Sequence, residues 1–172
     1  MASILDKLSG GDLRSIGKSN EVIEQVLKNP ALFGELFSGM KNADPVIRAR
    51  AADAVEKVSR LHPEYLQPFK SKIIREIAPI SQQEVRWHVA QMFSYLNLTV
   101  LEKSKIIDLL IGWLATETKS KIVKVNCLQT LANFAQSDSK LKQRILKTLH
   151  FYTQSGSPAL ISRSKKLLYE LE

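Results

Sequence analysis

An apolar pattern that returns every 37 to 38 residues constrains this chain more than any other feature of its sequence. It is clearest in Ile47, Ala51, Ala54, Val55 and Val58. Their spacing (i, i+4, i+7, i+8, i+11) is the stripe of a helix with one buried face. The same spacing returns Val85, Val89, Met92, Phe93 and Leu96, then Val123, Cys127, Thr130, Leu131 and Phe134, then Leu160, Ser164, Leu167, Leu168 and Leu171. Successive copies are offset by 38, 38 and 37 residues. Asp44 and Pro45 open the first copy as a cap and a first-turn proline, a pattern that predicts a helix from about 45 to 60, and Pro158 returns in the fourth copy.

Between these helices lie other amphipathic stretches, at 30–41 (Leu32, Phe33, Leu36, Phe37, Met40), 65–77 (Phe69, Ile73, Ile74, Ile77), 100–114 and 141–152. Each period therefore reads as a hairpin of two helices, A then B, and the absence of β alternation makes the chain all-α. A lone hairpin cannot bury its stripe, so neighbours must stack, and this period predicts a right-handed α-α superhelix. Four hairpins fall at about 30–61, 62–98, 99–137 and 138–172 in one structural domain. Residues 1–29 lie outside the period. There, SGGDL and GKSNE are break-and-cap signals, with Ser19 or Asn20 preceding a helix from about Glu21 to Lys28 that caps the first repeat. Met1 to Leu8 reads as a short helix or a frayed end. Gly10-Gly11 and Gly17-Lys18-Ser19 read as turns, since the strand and glycine spacing of a phosphate loop are missing.

The run Ile47-Arg48-Ala49-Arg50-Ala51-Ala52-Asp53-Ala54-Val55, preceded by Asp and Pro, resembles the second helix of a HEAT repeat of the armadillo-like family. Val85-Arg86-Trp87-His88-Val89-Ala90 resembles it less closely, and the last two copies match by spacing. The resemblance spans roughly residues 30 to 172. It implies a short solenoid with A helices on the convex side and B helices lining the concave side, braced between repeats by Asp44, Arg48 and Arg86. Lys124 replaces the arginine in the third copy with a point charge that lacks the planar fork, and Ile161 in the fourth cannot bond at all.

Register arithmetic then gives the polar row that the B helices present to the groove. Its columns are Arg50, His88, Asn126 and Arg163; Asp53, Gln91, Gln129 and Lys166; and Lys57, Tyr95, Asn133 and Glu170. This row is the expected partner-binding surface, with Trp87 packing at the junction between repeats.

Charge suggests the partner. The formal net charge is +8, and between Thr118 and Leu168 ten basic residues (Lys119, Lys121, Lys124, Lys140, Lys142, Arg144, Lys147, Arg163, Lys165 and Lys166) face the single acid Asp138. Such a field attracts acidic partners or nucleic acid. No stretch is apolar enough to span a bilayer, the N-terminus does not read as a secretory signal, and the lone Cys127 falls in a core stripe. These features point to a cytoplasmic address. His62, His88 and His150 sit in three different repeats with no ligand spacing, so neither a metal nor a cofactor is expected. His88 has no orienting carboxylate or nucleophile in sequence and reads as a surface histidine; Trp113 and Phe151 read as core.

These readings converge on a monomeric, non-enzymatic protein-interaction module that binds an acidic protein or peptide on its concave face. The alternative is binding to the nucleic-acid backbone, as the resemblance to HEAT-like DNA alkyl-base glycosylases would imply. Against it, Tyr95 is the only aromatic in the row, and Asp53 lacks the flanking tryptophans such an enzyme needs.

Overall fold

The structure is a computed structural model that describes residues 3–116 and 120–172, so Lys119 of the basic cluster lies outside the described residues. Every element is helical, and no strand occurs among the described residues. The chain forms two compact units, Met1–Asn97 and Leu98–Glu172.

The first unit begins with a 3-10 turn over Ile4–Leu8, closed by a reciprocal capping box between Ser3 and Asp6. A glycine-bearing loop leads into α1 (Ser19–Lys28), whose Val22 and Val26 are fully buried. The first A segment is α2 (Phe33–Ser38), flanked by single 3-10 turns over Pro30–Leu32 and Gly39–Lys41. Its B partner is α3 (Pro45–Leu61), capped by Asp44, whose Oδ1 accepts from the Val46 amide at 2.8 Å. The second A segment is broken where the periodicity predicts one helix. Short helices α4 (Pro63–Leu66) and α5 (Lys70–Lys72) are separated by a 3-10 turn at Gln67–Phe69 and followed by a π-turn over Ile73–Ile77. Pro68 is the physical reason for the first break: it offers no amide to the preceding turn, and its ring crowds the carbonyl four residues back. Its B partner is α6 (Gln83–Met92), extended by a 3-10 turn over Phe93–Tyr95.

In the second unit α7 (Val100–Thr116) and α8 (Lys121–Ala135) form one hairpin, and α9 (Ser139–Ser155) and α10 (Pro158–Leu171) the other. Each B helix packs on its neighbour within its unit, α6 on α3 and α10 on α8. The repeated stripe is the reason. Ala51, Val89, Cys127 and Ser164 occupy the same register position and are all fully buried. Phe151 departs from its expected core place and is 61% exposed, whereas Trp113 is buried. The buried stripe of α9 is Leu141, Ile145 and Leu149, and Phe151 lies two residues, about 200°, past it.

The first hairpin closes around small side chains. Gly39 is helical in backbone, and its hydrogen faces a crowded junction: a Cβ there would stand 2.9 Å from the Ala51 Cβ and 2.7 Å from the Leu5 Cδ2. Gly39→Ala should destabilise the protein by about 1–3 kcal/mol in urea titrations, because neither the α3 backbone nor the 3-10 turn can easily retreat. Ser164→Ala should do the opposite or nothing. Its hydroxyl is buried without a hydrogen-bond partner, so removing it deletes an uncompensated desolvation cost.

Candidate functional site

The helical register that buries one stripe turns the polar row to a second face. In the first unit this gathers part of the row into one cluster. Asp53 and Lys57, one turn apart on α3, pair at 2.8 Å. From the adjacent α6, the His88 Nε2 lies 3.8 Å from the Asp53 Oδ1. Gln91, one turn beyond His88, keeps its Oε1 buried beside the imidazole. Tyr95 turns away from this cluster: its hydroxyl donates to the Glu56 Oε1 at 2.7 Å. That bond satisfies a carboxylate on a residue only 3% exposed; burial, helped by the bond, pushes the phenol up and keeps it protonated and able to donate.

His88 is not a surface histidine. It is 8% exposed, and burial pushes its imidazole down to about 4, against the opposing pull of the Asp53 charge. The ring is therefore neutral at neutral pH, and it lines a cleft of about 110 Å³ together with Asp53. The cleft's apolar walls are Leu13, Ile16, Val46 and Trp87. Leu13 and Ile16, about half exposed, belong to the N-terminal loop and stood outside the predicted row. What betrays them in sequence is two branched apolar side chains inside an otherwise polar, glycine-bearing loop. Neutral imidazole, carboxylate and apolar wall together can recognise a ligand group by shape and hydrogen bonding; no nucleophilic side chain is bonded to the imidazole in this cluster.

Arg50 takes a different place from its column-mates. It is 5% exposed, and its guanidinium donates to the carbonyls of Leu8 (2.7 Å), Ser9 (3.2 Å), Gly10 (2.7 Å), Asp12 (3.2 Å) and Ser15 (2.9 Å). Each nitrogen of its planar fork meets main-chain oxygen, so the side chain clamps the N-terminal loop instead of opening to a partner. The loop wraps it tightly because Gly10, Gly11 and Gly17 adopt positive φ. A Cβ at Gly17 would lie 2.7 Å from the Arg50 Nη1.

Of the residues expected to brace the repeats, Arg48 and Arg86 make one kind of bond in common. Arg48 donates from Nη1 to the Asn42 carbonyl at 2.7 Å and from Nε to the Gln82 side chain at 2.6 Å, and Gln82 in turn donates to the Pro45 carbonyl at 2.9 Å. Arg86 donates to the Ile80 carbonyl at 3.0 Å, also six residues back. Asp44 caps its own helix, and the Lys124 side chain makes no hydrogen bond or ion pair among the described residues.

In the second unit a shorter chain of the row forms. The Arg163 Nη1 donates to the Gln129 Oε1, and the Gln129 Nε2 to the Asn133 Oδ1 at 3.0 Å. Asn126 returns its amide to the Ile122 carbonyl of its own helix, and exposed Lys166 lies 3.8 Å from Glu170. A rule links the units' internal contacts: a first-column residue on the later B helix meets a second-column residue on the earlier one, as His88 meets Asp53 and Arg163 meets Gln129. Arg50, with no earlier B helix, meets the loop.

Two outcomes follow from these contacts. Arg50→Ala should lower stability by roughly 2–4 kcal/mol and open residues 9–17 to limited proteolysis, since five carbonyls lose a charged donor; Arg50→Lys should recover little of it. The His88 pKa falls on folding, so the unfolded chain binds more protons between its ordinary value and about 4. Its contribution is complete above pH 6.5 and is lost as pH drops toward 4. On going from pH 7 to 5, urea titrations should show roughly 2 kcal/mol more loss for the wild type than for His88→Gln. Comparison of the chain with models of protein families, with curated proteins and with solved structures gives no significant match.

Proposed function

We propose that the chain is a non-enzymatic interaction module: a short HEAT-like solenoid whose four hairpins continue one right-handed superhelix and whose B-helix row holds an acidic segment of a partner protein. The observation that carries this reading is the recurrence of one contact rule on the row in both units. His88 lies beside Asp53 and Arg163 donates to Gln129, so within each unit the same two columns meet across neighbouring B helices. Prepaying side-chain ordering in this way favours binding over a merely solvated face. The 37 to 38 residue spacing supports the superhelix, and a continuous concave platform is what such folds offer to extended partners.

The charge of the partner rests on α10. Lys165 and Lys166 are exposed beside the Arg163 position, in a unit with twelve basic residues (Lys103, Lys105 and the ten named above) against six acidic ones (Glu102, Asp108, Glu117, Asp138, Glu170, Glu172). Arg163 itself is engaged with Gln129, so a clean test leaves it alone. Lys165→Glu with Lys166→Glu should weaken binding of a fluorescein-labelled polyglutamate peptide about tenfold by fluorescence anisotropy, with the melting temperature nearly unchanged. Tighter retention of duplex DNA than of the peptide, with affinity falling steeply as salt rises, would replace this reading with phosphate-backbone binding.

A further inference from the structure

The second unit carries a feature on its A helices that the row does not use. Between the C-terminal half of α7 and the middle of α9 lies a surface groove of about 370 Å³. Its floor is aliphatic, formed by Ile111, Leu114 and Ile145, and its lip is Phe151. At 61% exposed, Phe151 is far from the core stripe of its own helix. Arg144 and Lys147, two turns and one turn before Phe151 on α9, also line the groove. Neither side chain makes an ion pair or a hydrogen bond among the described residues. Tyr152 closes the far wall, and its hydroxyl is tied to the Leu114 carbonyl at 3.4 Å, which joins the two helices across the floor.

A single exposed phenylalanine on a surface is ordinary. Here it stands over a concave apolar floor, in line with two cations that have no ion-pair partner among the described residues. Among the described residues the acids of this unit are engaged or placed elsewhere: Asp138 caps α9 through the Leu141 amide, Glu170 lies beside Lys166 and Glu172 beside His150, while Glu102 and Asp108 do not line the groove. The volume falls within the range of sites that bury a ligand group.

We infer that the α7–α9 groove is a second docking site, on the face opposite in role to the B-helix row, for a short acidic segment of a partner protein that inserts one apolar side chain beside Phe151 and places carboxylates against Arg144 and Lys147. Charge complementarity selects the acidic flanks, and the aliphatic floor selects the anchor. A flat anionic bilayer would reach the rim but not the floor. Nucleic acid would find phosphate contacts but only one aromatic on which to stack a base. The site depends on neither Lys165 nor Lys166, so it stands or falls separately from the row.

The test uses the full chain and two fluorescein-labelled peptides, each with four glutamates on either side of a central pair, Leu-Phe in one and Ser-Ser in the other. The expected result is at least tenfold tighter binding of the Leu-Phe peptide by anisotropy. That advantage should be lost in Phe151→Ser and the affinity should drop at least tenfold in Arg144→Glu/Lys147→Glu. Binding of the Leu-Phe peptide, held at the groove, should stay within twofold of wild type in Lys165→Glu/Lys166→Glu. Phe151 is exposed, so its variant should keep the wild-type helical circular dichroism and melting profile, which checks that lost binding is not lost folding. Equal binding of the two peptides would overturn the proposal, and so would insensitivity to the groove variants. Stronger binding to vesicles containing phosphatidylglycerol or to a duplex oligonucleotide than to the Leu-Phe peptide would overturn it as well, as would self-association in sedimentation that Phe151→Ser abolishes.

Discussion

Helix α3 is buried around most of its circumference, and much of the first unit follows from that. Ala49, Ala51, Ala52, Ala54, Val55 and Val58 are all buried, so α1, α2, α6 and the N-terminal turn can pack against different sides of it. Small side chains allow that approach, and the cost appears in the two charged residues trapped with them, Arg50 and Glu56. A buried charge is tolerable only when its hydrogen-bonding capacity is filled. Each therefore recruits a neighbour: Arg50 the N-terminal loop through five carbonyls, Glu56 the end of the second B helix through Tyr95. The elements that bound the cleft at His88 are thus held by the same helix that supplies Asp53.

The repeated stripe was legible because one buried helical face leaves a 3.6-residue signature that needs no tertiary information. Asp44, Pro45 and the start of α3 were legible for a similarly local reason, since capping is settled within four residues. The polar row was legible as a register and not as a surface. Identical register arithmetic assigned Arg50, His88 and Arg163 to one column, yet Arg50 is enclosed by loop backbone and His88 by burial, while Arg163 reaches across to Gln129. What separates them is the layer each one meets, and that layer lies about one period away in sequence. A non-repeating loop in place of an earlier repeat is invisible to the period.

Phe151 shows a second kind of limit. It sits in an amphipathic helix within two residues of a core leucine, and amphipathicity alone favours burial. Counting angles along α9 would have placed it on the far side of Leu149 and beside Arg144 and Lys147. The break in the second A segment was announced by Pro68, while the π-turn over Ile73–Ile77 left no comparable local mark.

The Arg50 clamp has a consequence for how this chain can change. A guanidinium that grips only carbonyl oxygens is indifferent to which side chains those residues carry, provided the glycines that shape the loop are kept. Positions such as exposed Ser9 and Arg14 can then be rewritten without releasing the segment, whereas Asp12 also shapes the loop by accepting from the Arg14 and Ser15 amides. The loop at the cleft's edge becomes a place where recognition can drift, or be grafted by design, while the scaffold beneath it is left as it is.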